Sequence, residues 1–76
     1  MIHVQLYTTA ACHLCQLAED ILAKVDVMVE HIEIGDDDDL VSRYGIRIPV
    51  IRFPDNSELD WPFALVDIAE KISRLS

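Results

Sequence analysis

The stretch YTTAACHLCQLAEDIL, residues 7–22, sets two cysteines, Cys12 and Cys15, at the junction between two hydrophobic periodicities. Upstream, IHVQLY (2–7) alternates Ile2, Val4 and Leu6 with His3, Gln5 and Tyr7, the period of two that predicts a strand. Downstream, Leu14, Leu17, Ala18, Ile21, Leu22 and Val25 recur at intervals of three and four. That spacing predicts a helix over about 12–25, with Glu19, Asp20 and Lys24 off its apolar stripe. Cysteines separated by two residues suit three roles: a redox pair, half of a metal site, or two buried thiols. The spacing alone does not choose among them, so the rest of the chain must.

Further along, VMVEHIEI (27–34) is β-prone and alternates in its second half, with Ile32 and Ile34 on one side and His31 and Glu33 on the other. This completes a strand–helix–strand unit. Gly35 and four consecutive aspartates, 36–39, precede LVSRYG, and carboxylates at a helix start satisfy free backbone N–H groups and suit the macrodipole. A short helix over about 37–44, stopped by Gly45, follows from this. IRIPVIRF (46–53) alternates as a strand but contains Pro49, which cannot donate to a ladder. PDNS (54–57) is turn chemistry, so 48–61 reads as an antiparallel hairpin with a four-residue loop. Pro62 suits the first position of a last helix whose buried stripe is Leu65, Ile68, Ala69, Ile72 and Leu75.

Composition bounds the class. Seventy-six residues make one domain, 1–76, and a chain this short buries only roughly 60% of its extended surface, so a single core must hold it. Half the residues are apolar and few are Gly or Pro, which predicts order throughout. Fourteen acidic against six basic residues give a net charge of −8, a field that excludes nucleic acid and anionic membranes as partners. Arg43, Arg47 and Arg52 lie close in sequence but read as a solvated face rather than an anion site. The aspartate run lacks the alternate-position ligands of a calcium loop. No apolar run approaches the ~20 residues of a membrane span, and MIHVQLY lacks the features of a signal peptide. A cytoplasmic monomer is expected, in which a static structural disulfide is out of place.

The element order is then β, α, β, short helix, β, β, α. With a right-handed first crossover and the hairpin joining beside the first strand, this is an α/β arrangement with a four-stranded mixed sheet flanked by helices. The whole chain resembles the glutaredoxin-like family of small thioredoxin-fold proteins. The resemblance rests on LYTTAACHLC at the end of the first strand, YGIRIPVI at the third, and WPF before the last helix.

That resemblance implies dithiol–disulfide exchange. Cys12, at the helix N-terminus, would be the attacking thiolate, which the first-turn N–H groups favour. Cys15, one turn on, would resolve the mixed disulfide. His13, when protonated, would add positive charge near Cys12, and Tyr7 would pack beneath the cysteine loop. The proline of this fold is cis and faces the active-site cysteine, which casts Pro49 in that role and Ile48 as the residue whose backbone pairs with an extended substrate. The chain departs from the better-known pattern in His-Leu between the cysteines, Thr9 in place of a glutathione-holding lysine, and LDWP in place of a glycine pair with an acidic cap. Asp60 is then the candidate receiver of a glutathione amine. A protein or small-molecule disulfide is the expected partner, glutathione a candidate co-substrate, and no resident cofactor or metal is required. Two other classes stay open. The cysteines with His13 would supply part of a zinc or iron–sulfur site completed by a second copy or a partner, since His3 and His31 have no reason to converge. A redox-inactive interaction module would keep the fold alone.

Overall fold

The computed structural model describes residues 1–75. Its elements run β1 (Ile2–Thr8), α1 (His13–Leu22), β2 (Val27–Glu33), α2 (Asp38–Tyr44), β3 (Val50–Arg52), β4 (Glu58–Asp60) and α3 (Leu65–Leu75). The four strands form one sheet in the order β2-β1-β3-β4. β1 and β2 are parallel, with Val4 opposite Val29 and Thr8 opposite Glu33. β3 is antiparallel to both neighbours, with Tyr7 opposite Val50 and Val50 opposite Asp60. This is the expected mixed four-stranded α/β arrangement.

The strand period of two gives the sheet two apolar faces. On one, Val4, Leu6, Ile51 and Phe53 are buried with Ala18 and Leu22 of α1, Phe63, and Ile68 of α3, and Val27, Val29, Leu59 and Trp61 pack around them. On the other, Tyr7, Val50 and Ile34 are buried with Tyr44 of α2, flanked by Ile32, Leu40 and Ile48. Complete burial of one such side chain, Ile68 or Leu6, stabilises the fold by about 1.5–3 kcal/mol.

Several expectations are corrected. α1 spans His13–Leu22 rather than 12–25: Cys12 is its N-cap in extended backbone, and Ala23 closes it. Beyond it, Lys24 and Val25 donate to the carbonyls of Ile21 and Leu22 three residues back, a tightening that turns the chain toward β2. Its buried stripe is Cys15, Ala18 and Leu22; Leu14 and Leu17, expected in the core, are exposed. Likewise α3 buries Ile68 and partly Ile72 and Leu75, whereas Leu65 and Ala69 face outward.

α2 starts as the aspartate run predicts, with Asp37 Oδ1 accepting from the Asp39 and Leu40 N–H groups at 2.9 and 3.2 Å. Gly45 ends it, but in right-handed backbone (φ −52°) rather than the left-handed form usual for a glycine cap. The need for glycine is instead a close approach, because a Cβ here would lie 2.5 Å from the Val41 carbonyl oxygen.

The third strand begins only at Val50. Arg47 and Ile48 both donate to the Tyr44 carbonyl, at 2.8 and 3.0 Å, and so form a turn rather than extended chain. Pro49 therefore precedes the ladder, where its missing N–H costs nothing. The hairpin loop is longer than the expected four residues: β3 ends at Arg52, β4 starts at Glu58, and Phe53 and Ser57 stay joined by one backbone bond while Asn56 takes φ 70° at the tip. Pro62 lies before α3 rather than inside it, and the Ile48–Pro49 and Trp61–Pro62 peptides are both cis. The α3 start is held by Asp67 Oδ2, which accepts from the Ala64 N–H at 2.7 Å, the reciprocal half of a capping box.

Candidate active site

Strand directions decide what meets at the end of the sheet. The C-terminal ends of β1, β2 and β4 and the N-terminal end of β3 lie together. There the chain places the Thr9–Cys12 loop, the Gly35–Asp37 connection, Ile48–Pro49, and Trp61–Ala64. The cysteines sit on the loop and first turn of α1, and Pro49 leads into the strand that pairs with Tyr7.

The sulfurs of Cys12 and Cys15 lie near disulfide distance, with Cα atoms 5.2 Å apart. Cys12 stands where Ser or Asp would cap a helix, and its sulfur accepts from the Cys15 N–H at 3.2 Å. The first turn of α1 carries no acidic side chain, so the Cys12 sulfur is the side-chain acceptor at the positive end of that helix dipole. α2, by contrast, has Asp38 and Asp39 in its first turn. Cys12 is half-buried while Cys15 is only 3% exposed, packed on the inner stripe of α1. Cys12 is thus the more accessible of the two cysteines, and a backbone N–H donor faces its sulfur.

The loop presenting Cys12 is clamped from β2. Ala11, just before the cysteine, takes left-handed backbone at φ 62°, a conformation an L-residue with a Cβ resists by about 1–2 kcal/mol. Glu33 holds the turn in place. Its carboxylate accepts from the Ala10 N–H at 3.0 Å and the Gly35 N–H at 2.7 Å. These bonds, with the Gly35 one dominant and Thr9 contributing its side chain, hold Glu33 below the usual carboxylate range. Gly35 makes room for this arrangement, since a Cβ there would stand 2.9 Å from Glu33 Oε2.

On the α2 face, Tyr7 stacks on Tyr44 with ring centroids 4.2 Å apart and planes 15° off parallel. Tyr44 donates to Glu58 Oε2 at 2.6 Å. That bond, then burial and the neighbouring Tyr7, pushes the Tyr44 phenol up to about 12. Arg47 lies 5.0 Å from the Tyr44 ring centroid. It donates to Glu58 Oε1 at 2.8 Å and to both oxygens of Asp60 at 2.8 and 2.9 Å. Glu58, chiefly through Tyr44, and Asp60, chiefly through Arg47, are held below the usual carboxylate range. The network fastens the exit of α2 to β4, and Ile48–Pro49 lies between the two.

The sequence-predicted residues thus separate into two groups. Cys12, His13 and Cys15 share the first turn of α1, and Ile48 and Pro49 lie at the same end of the sheet. Tyr7 is buried against Tyr44 on the α2 face, and Asp60 is engaged by Arg47. The Ile48 N–H is taken by the Tyr44 carbonyl, while the Ile48 carbonyl accepts no bond among the described residues. Arg47, read earlier with Arg43 and Arg52 as a solvated face, is instead a partly covered ion-pair centre. Glu33, Tyr44 and Glu58 were missed. The alternation of Glu58 and Asp60 about Leu59 puts both carboxylates on one face of β4, which is the one sequence signal for an arginine partner. Of the other histidines, His31 pairs with Glu19 and His3 lines an open hollow with Gln5, Glu30 and Arg52. Among the described residues no group of three or more His, Cys, Asp or Glu side chains is set to hold a metal ion, and no helix is long and apolar enough to cross a membrane.

A cysteine pair at the N-terminus of the first helix of a β2-β1-β3-β4 sheet defines a thioredoxin-fold redox-type module. The family described as Glutaredoxin-like domain (DUF836) matches residues 3–73, and the chain belongs to that family. Among solved structures it is similar to target protein XcR50 from X. campestris, at 37% identity and a TM-score of 0.85 for the X-ray structure, covering 93% of this chain and 96% of that one. For the solution structure of the same target the identity is 36% and the TM-score 0.78, over 97% of this chain and 95% of that one. No curated protein matches.

Proposed function

We propose that the protein is a dithiol–disulfide oxidoreductase acting through Cys12 and Cys15. The Cys12 thiolate attacks one sulfur of a substrate disulfide, whose S–S bond breaks as the leaving thiolate takes up a proton. Cys15, losing its proton, then attacks the Cys12 sulfur and releases the second substrate thiol. The protein ends as the Cys12–Cys15 disulfide and the substrate as two thiols; glutathione or a reductase returns the enzyme to the dithiol. The carrying observation is the asymmetry of the pair: a half-buried Cys12 sulfur facing the Cys15 N–H, and a buried Cys15 behind it.

Ile48 and Pro49 are the proposed substrate rest. With the Ile48 N–H already used internally, docking falls to its carbonyl, which would accept an N–H from an extended peptide. A protein or small-molecule disulfide is the proposed substrate, in a reducing compartment such as the cytoplasm. The test is a pair of variants in a disulfide-reduction assay. Cys12→Ser should abolish turnover, and Cys15→Ser should accumulate the mixed disulfide on Cys12. Equal activity in both would remove the mechanism.

A further inference from the structure

We infer that the disulfide this site prefers is flanked by positive charge, and that an anionic disulfide such as that of glutathione is a poor substrate. The inference rests on the exchange chemistry proposed above and concerns which molecule enters it.

An anionic substrate needs an uncommitted positive group, either a helix N-terminus or a cationic side chain. All three helices begin at the cysteine end of the sheet, and at each start a carboxylate or the Cys12 sulfur already accepts from a backbone N–H. The N-terminus of α1 faces the Cys12 sulfur. That of α2 is capped by Asp37 and carries Asp38 and Asp39. At α3 the Ala64 N–H is held by Asp67.

The cations are committed in the same way. Arg47, next to Ile48, binds Glu58, Asp60 and the Arg43 carbonyl. Arg43 pairs with Asp39, Lys71 with Asp55 and Arg74 with Glu70, and Arg52 donates to Asn56. Lys24 lies past the far end of α1, about 15 Å of helix from Cys12. His13 is the remaining group of that kind at the site. Against it stand the exposed aspartates 36–39, in a chain of net charge −8. A one-signed field around a cleft changes encounter rates with charged partners by 10–10³-fold at low salt.

Three disulfides of similar chemistry and different charge test this: cystamine, with two ammonium ends; hydroxyethyl disulfide, neutral; and glutathione disulfide, anionic. The reduced full-length protein is mixed with each at pH 8, above the ordinary histidine range, and oxidation is followed by acid quench and intact mass. Each rate is divided by that of mercaptoethanol, a neutral thiol, with the same disulfide. With cystamine, Cys12 takes one half as a mixed disulfide while the other half leaves as cysteamine, and Cys15 then attacks the Cys12 sulfur and displaces the bound half, so two cysteamines leave and two electrons pass from the dithiol to the substrate sulfurs. The normalised cystamine-to-glutathione ratio should be about tenfold or more at low ionic strength, and should collapse toward about twofold near 1 M salt, where the Debye length is ~3 Å. The double variant Asp36→Asn/Asp38→Asn should lower the low-salt ratio. A ratio at or below one, or one that salt does not reduce, overturns the inference while leaving exchange intact. Failure to react with all three disulfides removes the exchange chemistry, and this inference with it.

Discussion

The backbone N–H of Cys15 faces the sulfur of Cys12 at 3.2 Å, in the place where a capping oxygen would accept at a helix start. One bond thus ties the first turn of α1 to the sulfur of its capping residue. The reduced protein should be labelled by iodoacetamide first at Cys12, about tenfold or more ahead of the buried Cys15, because thiolate character and access act in the same direction. Peptide mapping after brief alkylation reads this directly, and equal labelling would contradict it.

Glu33 gives the loop its acid sensitivity. Its pKa in the folded protein is depressed below 4.5, so the stability it contributes is present above that value and is lost as pH falls through the depressed one. Glu33→Gln should lower the melting temperature at neutral pH and flatten the loss of stability in acid. It should also slow oxidation through a less fixed Ala10–Cys12 turn. Thermal melts from pH 7 to pH 3 check the first claim, and an unchanged acid slope would refute it.

The Tyr44–Glu58–Arg47–Asp60 network predicts opposite behaviour at the two ends of the pH scale. Tyr44 is raised from 10.0 to about 12, so its contribution is complete below pH 10 and is lost as pH rises through 12. Glu58 and Asp60 are lowered, so theirs is present above their ordinary values of 4.5 and 3.8 and is lost in acid. Tyr44→Phe should cost about 1.5–3 kcal/mol at pH 7, the value of a hydrogen bond to a charged acceptor, and should remove most of the alkaline slope. Arg47→Met, which strips Asp60 of its partner and leaves Glu58 with the Tyr44 hydroxyl, should cost about 1 kcal/mol, since the group is partly solvated and screened, and should weaken the acid slope instead. Urea melts at pH 7, at pH 4 and at about pH 11.5, between the ordinary and the raised Tyr44 values, separate the two variants.

Ile68 is fully buried between α3 and the sheet. Ile68→Ala should cost about 2–5 kcal/mol, a large share of the stability of a 76-residue domain. Circular dichroism melts should show cooperative loss of the whole fold at reduced temperature, whereas fraying of α3 alone would mean that the helix is not part of the single core.

The order of the elements was legible because each periodicity has a local cause. Alternation marked β1, turn residues marked the hairpin, and Asp37 with its neighbours marked the start of α2. The cysteine pair was legible as a site because it falls at a strand-to-helix junction. What the sequence hid depends on phase and register. Leu14 and Leu17 have helical spacing, yet the loop from Ala11 rotates α1 so that Cys15, Ala18 and Leu22 point inward. Glu33 alternates as an outward strand residue, and its role depends on the local Gly35 N–H and on the Ala10 N–H, which only parallel pairing with β1 brings within reach. Arg47 meets Asp60 only because the turn after Tyr44 delays the start of the expected strand to Val50. Local patterns set the elements, while the supports of the site are made between them.

The most direct measurement is an anaerobic glutathione redox titration of the metal-free protein, acid-quenched, alkylated and read by intact mass with peptide mapping. The expected result is a reversible Cys12–Cys15 disulfide that forms and is lost as a two-electron couple, with any mixed disulfide confined to Cys12. Two thiols that stay reduced across the whole range, or an adduct found on Cys15, would contradict it.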